Sequence, residues 1–328
     1  MPYSRTILFV LASLLLLTAC APSATTEAPS DPEGATAANT EQAPTEAPAS
    51  ETPEPTATEE PPPALIVFSS NEGQPDDQFN LFTIDPQTGE IVQLTDSFGF
   101  AGLPGWSPDR TMISFFSNDD DFRVYTIGAD GQNLTQVTDF SSAVPSWFPD
   151  GERLIFNSDH QTEPAGVSDL YAMNLDGSDL VQIIDSDSTA DYQAEVSPDG
   201  IKLLFHSDRT GNPEVFVANI DGSVVTQLTD NPGDDNSATW SPDGNRILYA
   251  AVLSGNTDLW VMNADGTNPE QLTAESGVDG QGSWSPDGSQ IVFVSDRGGS
   301  IDLWLMNADG SDPVQLTTGD GLELFPDW

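Results

Sequence analysis

Two histidines, one cysteine and 53 acidic side chains are the residues of this 328-residue chain with the most chemistry to offer. His206 ends the apolar run LLFHSDR, and His160 lies in the polar stretch SDHQTEP. A metal centre built on imidazole needs several convergent nitrogens, and two isolated histidines do not supply them. The acids gather in SNDDDF (117–122), DSDS (185–188) and NPGDDNS (231–237). Such loops are rich in the oxygens that calcium takes, but none has the glycine and terminal glutamate of an EF-hand loop. Solvated loops are the plainer reading of each. No G-x-S-x-G nucleophile elbow occurs. No catalytic residue and no metal ligand is therefore assigned, and calcium is the only cofactor these residues suggest.

The first 20 residues carry Arg5, the apolar run ILFVLASLLLL and then LTAC. A positive start, a short apolar stretch and small residues describe an export signal, too short to span a bilayer. LTAC resembles the lipobox of bacterial lipoproteins. That resemblance implies that Cys20 becomes the lipidated first residue, and a protein lipid-anchored outside the cytoplasm, at the bacterial cell membrane or envelope. Cys20 is the sole cysteine, so the mature chain forms no internal disulfide. Residues 21–63 are Ala, Pro, Thr, Ser and Glu with little to bury, and read as a disordered tether. The remainder, 64–328, holds 44 Asp and Glu against seven Lys and Arg, a net charge near −37. Such a field repels nucleic acid and anionic lipid heads. It favours cations or basic partners.

What must position these groups is a repeat. WSPDG at 240–244 recurs at 284–288, with WSPDR at 106, WFPDG at 147, VSPDG at 196 and a terminal FPDW. First residues at 106, 147, 196, 240, 284 and 328 give steps of 41, 49, 44, 44 and 44. A fixed period of this size means stacked supersecondary units. In the last full unit a short strand ends at Trp284, and SPDG turns. QIVFV (290–294), DLWLMN (302–307) and PVQLT (313–317) are three further strands, with ADG turning between the last two. Four short antiparallel strands make one propeller blade. The apolar runs IVFV, LIVF and LIF are covered on both faces, as a blade between two others would be.

The expected fold is all-β: a six-bladed propeller of four-stranded antiparallel blades. LIVF (65–68) begins as a second strand, so the C-terminal LELFPDW supplies the first and closes blade 1. The tryptophan of WSPDG is expected to pack between blades, and the motif to be a building device rather than a catalytic one. PSWFPDG, WSPDG, IVFVSDR, DLWLMNADG and QLT together resemble the repeats of the TolB-type propeller family across 64–328. The Gly-His and Trp-Asp signatures of WD repeats are missing. Two enzyme groups have similar propellers. Prolyl oligopeptidase relatives set theirs over a hydrolase domain, and oligogalacturonate lyases hold a metal with several histidines.

SPDG and NADG turns repeat on one face, whereas the loops on the other change at every blade. Varied loops are where specificity resides. The variable rim is expected to carry Phe98, Phe100, Phe140 and Tyr192 among Asp191, Asp234, Asp235, Asn236, Asp279, Gln281 and Glu323. Aromatics beside carboxylates suit basic peptides, sugars or cationic groups. The expected function is a monomeric, membrane-anchored, non-catalytic module that binds a protein or peptide, with a basic one favoured by the charge. A metal-assisted polysaccharide enzyme of the oligogalacturonate-lyase type is the alternative, as is a purely structural envelope or sensor ectodomain.

Overall fold

The computed structural model describes residues 64–328, apart from 75–77, 120, 161–166, 186–188 and 254. Cys20, the signal segment and the tether lie outside the described residues, as do Asp120 and most of the DSDS loop. The described chain forms six four-stranded antiparallel sheets, and the SPDG turn joins first to second strand. The innermost strands are Ala101–Trp106, Ala143–Trp147, Asp191–Val196, Asp235–Trp240 and Asp279–Trp284 in blades 2 to 6. Blade 1 takes its inner strand, Glu323–Asp327, from the C-terminus. It pairs with Ile66–Ser70 through Ser70↔Glu323, Ser69↔Leu324 and Val67↔Asp327, so the ring closes as the sequence implied.

Each turn is made by its aspartate. In SPDG, Asp243 Oδ1 accepts the Ser241 hydroxyl at 2.6 Å and the Asn245 N–H at 3.1 Å. Asp287 does the same with Ser285 and Ser289. These hydrogen bonds hold the Asp243 carboxyl down at about 2. In NADG, Asp265 accepts the Thr267 N–H and hydroxyl. In every blade but the third, where Ile184 stands in its place, a threonine past the outer strand adds a further bond: Thr273 and Thr317 accept the N–H of Leu259 and Leu303, each at 2.9 Å. The recurring polar residues are thus acceptors for backbone that the ladder leaves unpaired.

The tryptophans join the blades. Trp284 packs with Leu248 and Leu259 of blade 5 and with Ile291 and Phe293 of its own. Trp240 sits between Leu204 and Val215 of blade 4 and Ile247 of blade 5. Trp147 also donates its indole N–H to the Gly105 carbonyl of blade 2 at 2.9 Å. Truncating such a residue costs about 3–5 kcal/mol, enough to explain why the motif recurs without any chemistry.

Candidate functional site

Six inner strands surround a central channel. Each is bent at the residue three before the WSPDG tryptophan position: Leu103, Val144, Gln193, Ser237, Gln281 and Phe325. All six have φ between 46° and 56°, and the pairing register slips there in every blade. A bulge re-aims the side chains that follow it. Two residues on, Gly105, Ser146, Glu195, Thr239, Ser283 and Asp327 reach the channel wall. The left-handed conformation is costly for a β-branched Val144 or a Phe325, so closure of the ring holds it there.

The channel cavity has a volume of about 510 Å³ and reaches Pro108, Pro149 and Pro198 of the SPDG face. Two carboxylates stand on its walls, Glu195 of blade 4 and Asp327 of blade 1. Both also hold the ring together. Glu195 Oε1 accepts the Trp240 N–H at 3.3 Å, and Asp327 Oδ2 accepts the Trp106 N–H at 2.8 Å. Burial pushes Glu195 up to about 8, with Thr239 opposing and Asp327 adding to the rise. Burial also raises Asp327, against the Trp106 N–H and the charge of Arg110. The wall otherwise offers hydroxyls from Ser146, Thr239 and Ser283 and amides from Gln193 and Gln281. It contains no histidine or cysteine. Among the described residues no group of three His, Cys, Asp or Glu converges on a metal position.

His206 lies fully buried in the second strand of blade 4, deeper than the partly buried strand end expected of it. Its Nε2 accepts the Ala238 N–H at 3.1 Å, and burial pushes it down to about 3. It is a neutral link between blades. His160 stacks on Phe140 at 4.2 Å rather than standing in solvent.

The eleven rim residues do not form one open surface. Phe98, Phe100, Asp191, Tyr192, Asp235, Asp279 and Glu323 are buried between blades. Phe140, Asp234, Asn236 and Gln281 keep partial exposure, and Gln281 alone among the eleven lines the channel. The buried acids have internal partners. Arg209 Nη2 meets Asp191 Oδ1 at 2.7 Å, and Arg297 Nη2 meets Asp279 Oδ2 at 2.7 Å. Each guanidinium also lies over two aromatic rings, Phe205 and Phe216 or Phe293 and Trp304. At the equivalent places blade 5 has Leu253 and blade 1 has Glu72. Asp235, beside Glu214, is accordingly pushed up to about 6, chiefly by burial. Glu323 is pushed up to about 8 by burial and then by Asp302. The sequence carried the signal: an acid opens the inner strand, and SDR follows it in blades 4 and 6 alone.

Bulged inner strands, aspartate-closed turns and a ring completed by the C-terminus define a six-bladed propeller of the TolB type. The family model for the TolB beta propeller domain matches residues 141–249 and 228–328, more than half of the chain, and the chain belongs to that family. A TolB homologue from Chlorobium luteolum is 32% identical over 144 residues, 40% of this chain and 29% of that protein. The chain thus spans under a third of that relative. The crystal structure of TolB from Acinetobacter baumannii superposes with a TM-score of 0.69 at 22% identity, over 81% of this chain and 66% of that one. An oligogalacturonate lyase in complex with manganese gives 0.54 at 15% identity, over 78% and 74%. Both structures are similar in fold.

Proposed function

We infer that the chain is an extracytoplasmic, lipid-anchored module that binds a protein or peptide and performs no catalysis. The observation that carries this reading is the channel wall. Its two carboxylates are tied to the backbone of the next blade, and the hydroxyls beside them are spent on them: Ser283 donates to Asp327 Oδ1 at 3.2 Å and Thr239 bonds Glu195. Partner contact falls on the variable rim at the residues that keep exposure: Phe140, Asp234, Asn236 and Gln281. The exposed acids of the variable loops, Asp96, Asp139, Asp230, Glu275 and Asp320, keep that face negative, so a basic segment is the partner it favours. The TolB-type fold agrees with envelope binding, and the signal and tether read from the sequence place the domain outside the cytoplasm on Cys20. A monomer suffices, because the ring closes on itself and leaves as edges only outer strands of two to four residues.

The lyase reading is less well supported. Oligogalacturonate is a polyanion, and a domain with a net charge near −37 repels it. One observation favours a different binding mode: the cavity extends to Pro108, Pro149 and Pro198 at the SPDG mouth, so a partner could enter from that side. Affinity capture from the native envelope separates the two. Asp234→Ala with Asn236→Ala should cut capture at least ten-fold at an unchanged melting temperature, while Glu195→Gln leaves it intact. The reverse pattern moves the site to the SPDG mouth. Capture unchanged by both removes the rim and the channel together. Asp191 and Tyr192 are poor probes, because both are buried and their loss would report on folding.

A further inference from the structure

The constant face repeats polar residues, and blade 4 departs from them. The residue after SPDG is Thr111, Glu152, Asn245 or Ser289 in blades 2, 3, 5 and 6, but Ile201 in blade 4. The second residue after the next Asp-Gly is Asn133, Asp179, Asn268 or Asp312, but Val224 in blade 4. Both exceptions face solvent: Ile201 is 58% exposed, Val224 69% and the adjoining Val225 39%. The two loops touch, since Ile220 N–H donates to the Ile201 carbonyl at 3.1 Å and Asn219 N–H to the Ser223 carbonyl at 2.8 Å.

Val224 is also strained. Its φ is 56°, and its four counterparts have 54° to 59°. Asn and Asp tolerate that left-handed conformation, whereas a β-branched side chain resists it. Asp179 and Asp312 moreover accept from Asn174 and Asn307, at 3.0 and 3.2 Å. In blade 4 Asn219 Nδ2 makes only the bond to Ser223 Oγ that Asn174 and Asn307 also make to Ser178 and Ser311, and Val224 adds no acceptor. Exposure and strain thus both oppose folding at one spot, and nothing among the described residues covers these side chains in return.

We propose that Ile201, Val224 and Val225 form a docking surface for a protein that presents an apolar knob rimmed by lysine or arginine. Charge selects this occupant. Asp199 and Asp221 border the patch, each held below the usual carboxylate range first by a hydroxyl, of Ser197 and Ser223. Lys202, the nearest cation, is turned to Asn219 Oδ1 at 2.8 Å. A second copy would bring another domain near −37, and an anionic membrane would likewise be repelled. The surface lies on the face opposite the variable rim and does not depend on the function proposed above.

The full-length protein in its own envelope provides the test, with the photo-crosslinking residue benzoylphenylalanine at position 224 or, as control, at 268. A discrete adduct is expected from 224 and not from 268. It should weaken in high salt and disappear when Ile201→Asn is added, and the adducted protein should carry a basic, apolar face. Equal adducts from both positions, an adduct with this same chain or with lipid, or none at all would overturn the proposal. Val224→Asn measures the strain separately. It should raise the thermal midpoint by about 2–4 °C. No rise would remove the premise that Val224 is held at a cost.

Discussion

Glu323 should make the stability of the ring fall as pH rises, and its position at the closure seam makes the effect measurable. Its side chain is buried, accepting from Ser70 at 3.4 Å and Thr317 at 3.3 Å. Burial is the first cause that lifts it from 4.5 to about 8; the hydrogen bond and charge of Asp302 come next, and the charge of Glu72 adds to them. A carboxyl whose pKa is raised on folding contributes stability that is fully present below the unfolded value. That contribution is lost as pH climbs through the folded one. The window is therefore pH 4.5 to 8. At about 1.4 kcal/mol per pH unit the ceiling is about 5 kcal/mol, and access to solvent past exposed Glu72 reduces it to about 2–3 kcal/mol. Asp235 and Glu195 titrate with the same sign, so wild type alone does not isolate Glu323. Glu323→Gln does, because the amide cannot ionise and can donate toward Asp302 as the protonated carboxyl does. Thermal melts from pH 5 to 9 at fixed ionic strength should show the variant similar to or below wild type at pH 5. At pH 8.5 it should be more stable by about 2–3 kcal/mol. A difference between the two proteins that stays constant across this range would refute a protonated Glu323.

Arg297→Leu leaves Asp279 and Asp258 without their cation and should cost about 3–5 kcal/mol in denaturant melts. Glu72→Arg, which copies the arrangement of blades 4 and 6 at the closure seam, should instead stabilise the domain above pH 8; destabilisation would show that the seam does not admit a guanidinium. Monovalent salt should raise the melting temperature by screening a charge near −37, and a further rise with low calcium at fixed ionic strength would mark a specific site. Cys20→Ser should leave the membrane fraction or stay unprocessed, and unaltered fractionation and cleavage would end the lipoprotein reading.

The fold was legible because its signals are local. SPDG and NADG are turns whose aspartates bond the two or three residues beside them, so their chemistry travels with the motif. Ring closure was legible for a related reason: FPDW repeats the end of an inner strand and stops, while LIVF begins one strand late. The bulges were not legible, since Val144 and Phe325 disfavour the positive φ they adopt and only the closed ring imposes it. The rim was misplaced through the same limitation. Asp191 and Asp279 stand next to turn signals and read as solvated, while their arginines lie across the blade at 209 and 297.

A repeat protein supplies its own controls, and here the departures from the repeat say more than its conserved positions. Wherever five or six blades agree, the agreement has a cause inside the fold: a turn to close, a tryptophan to seat, an N–H to satisfy. Where one blade differs, the same fold shows what the substitution costs. Leu253 and Glu72 replace arginines and leave acids that hold protons instead of counter-ions. Val224 replaces Asn or Asp in a conformation that valine resists, and Ile201 adds apolar surface beside it. The first pair sets how stability follows pH. The second offers no return within the domain, so its return must be sought in a partner. Neither kind of information is present in a single blade; both come from comparing equivalent positions after the strand register has aligned them.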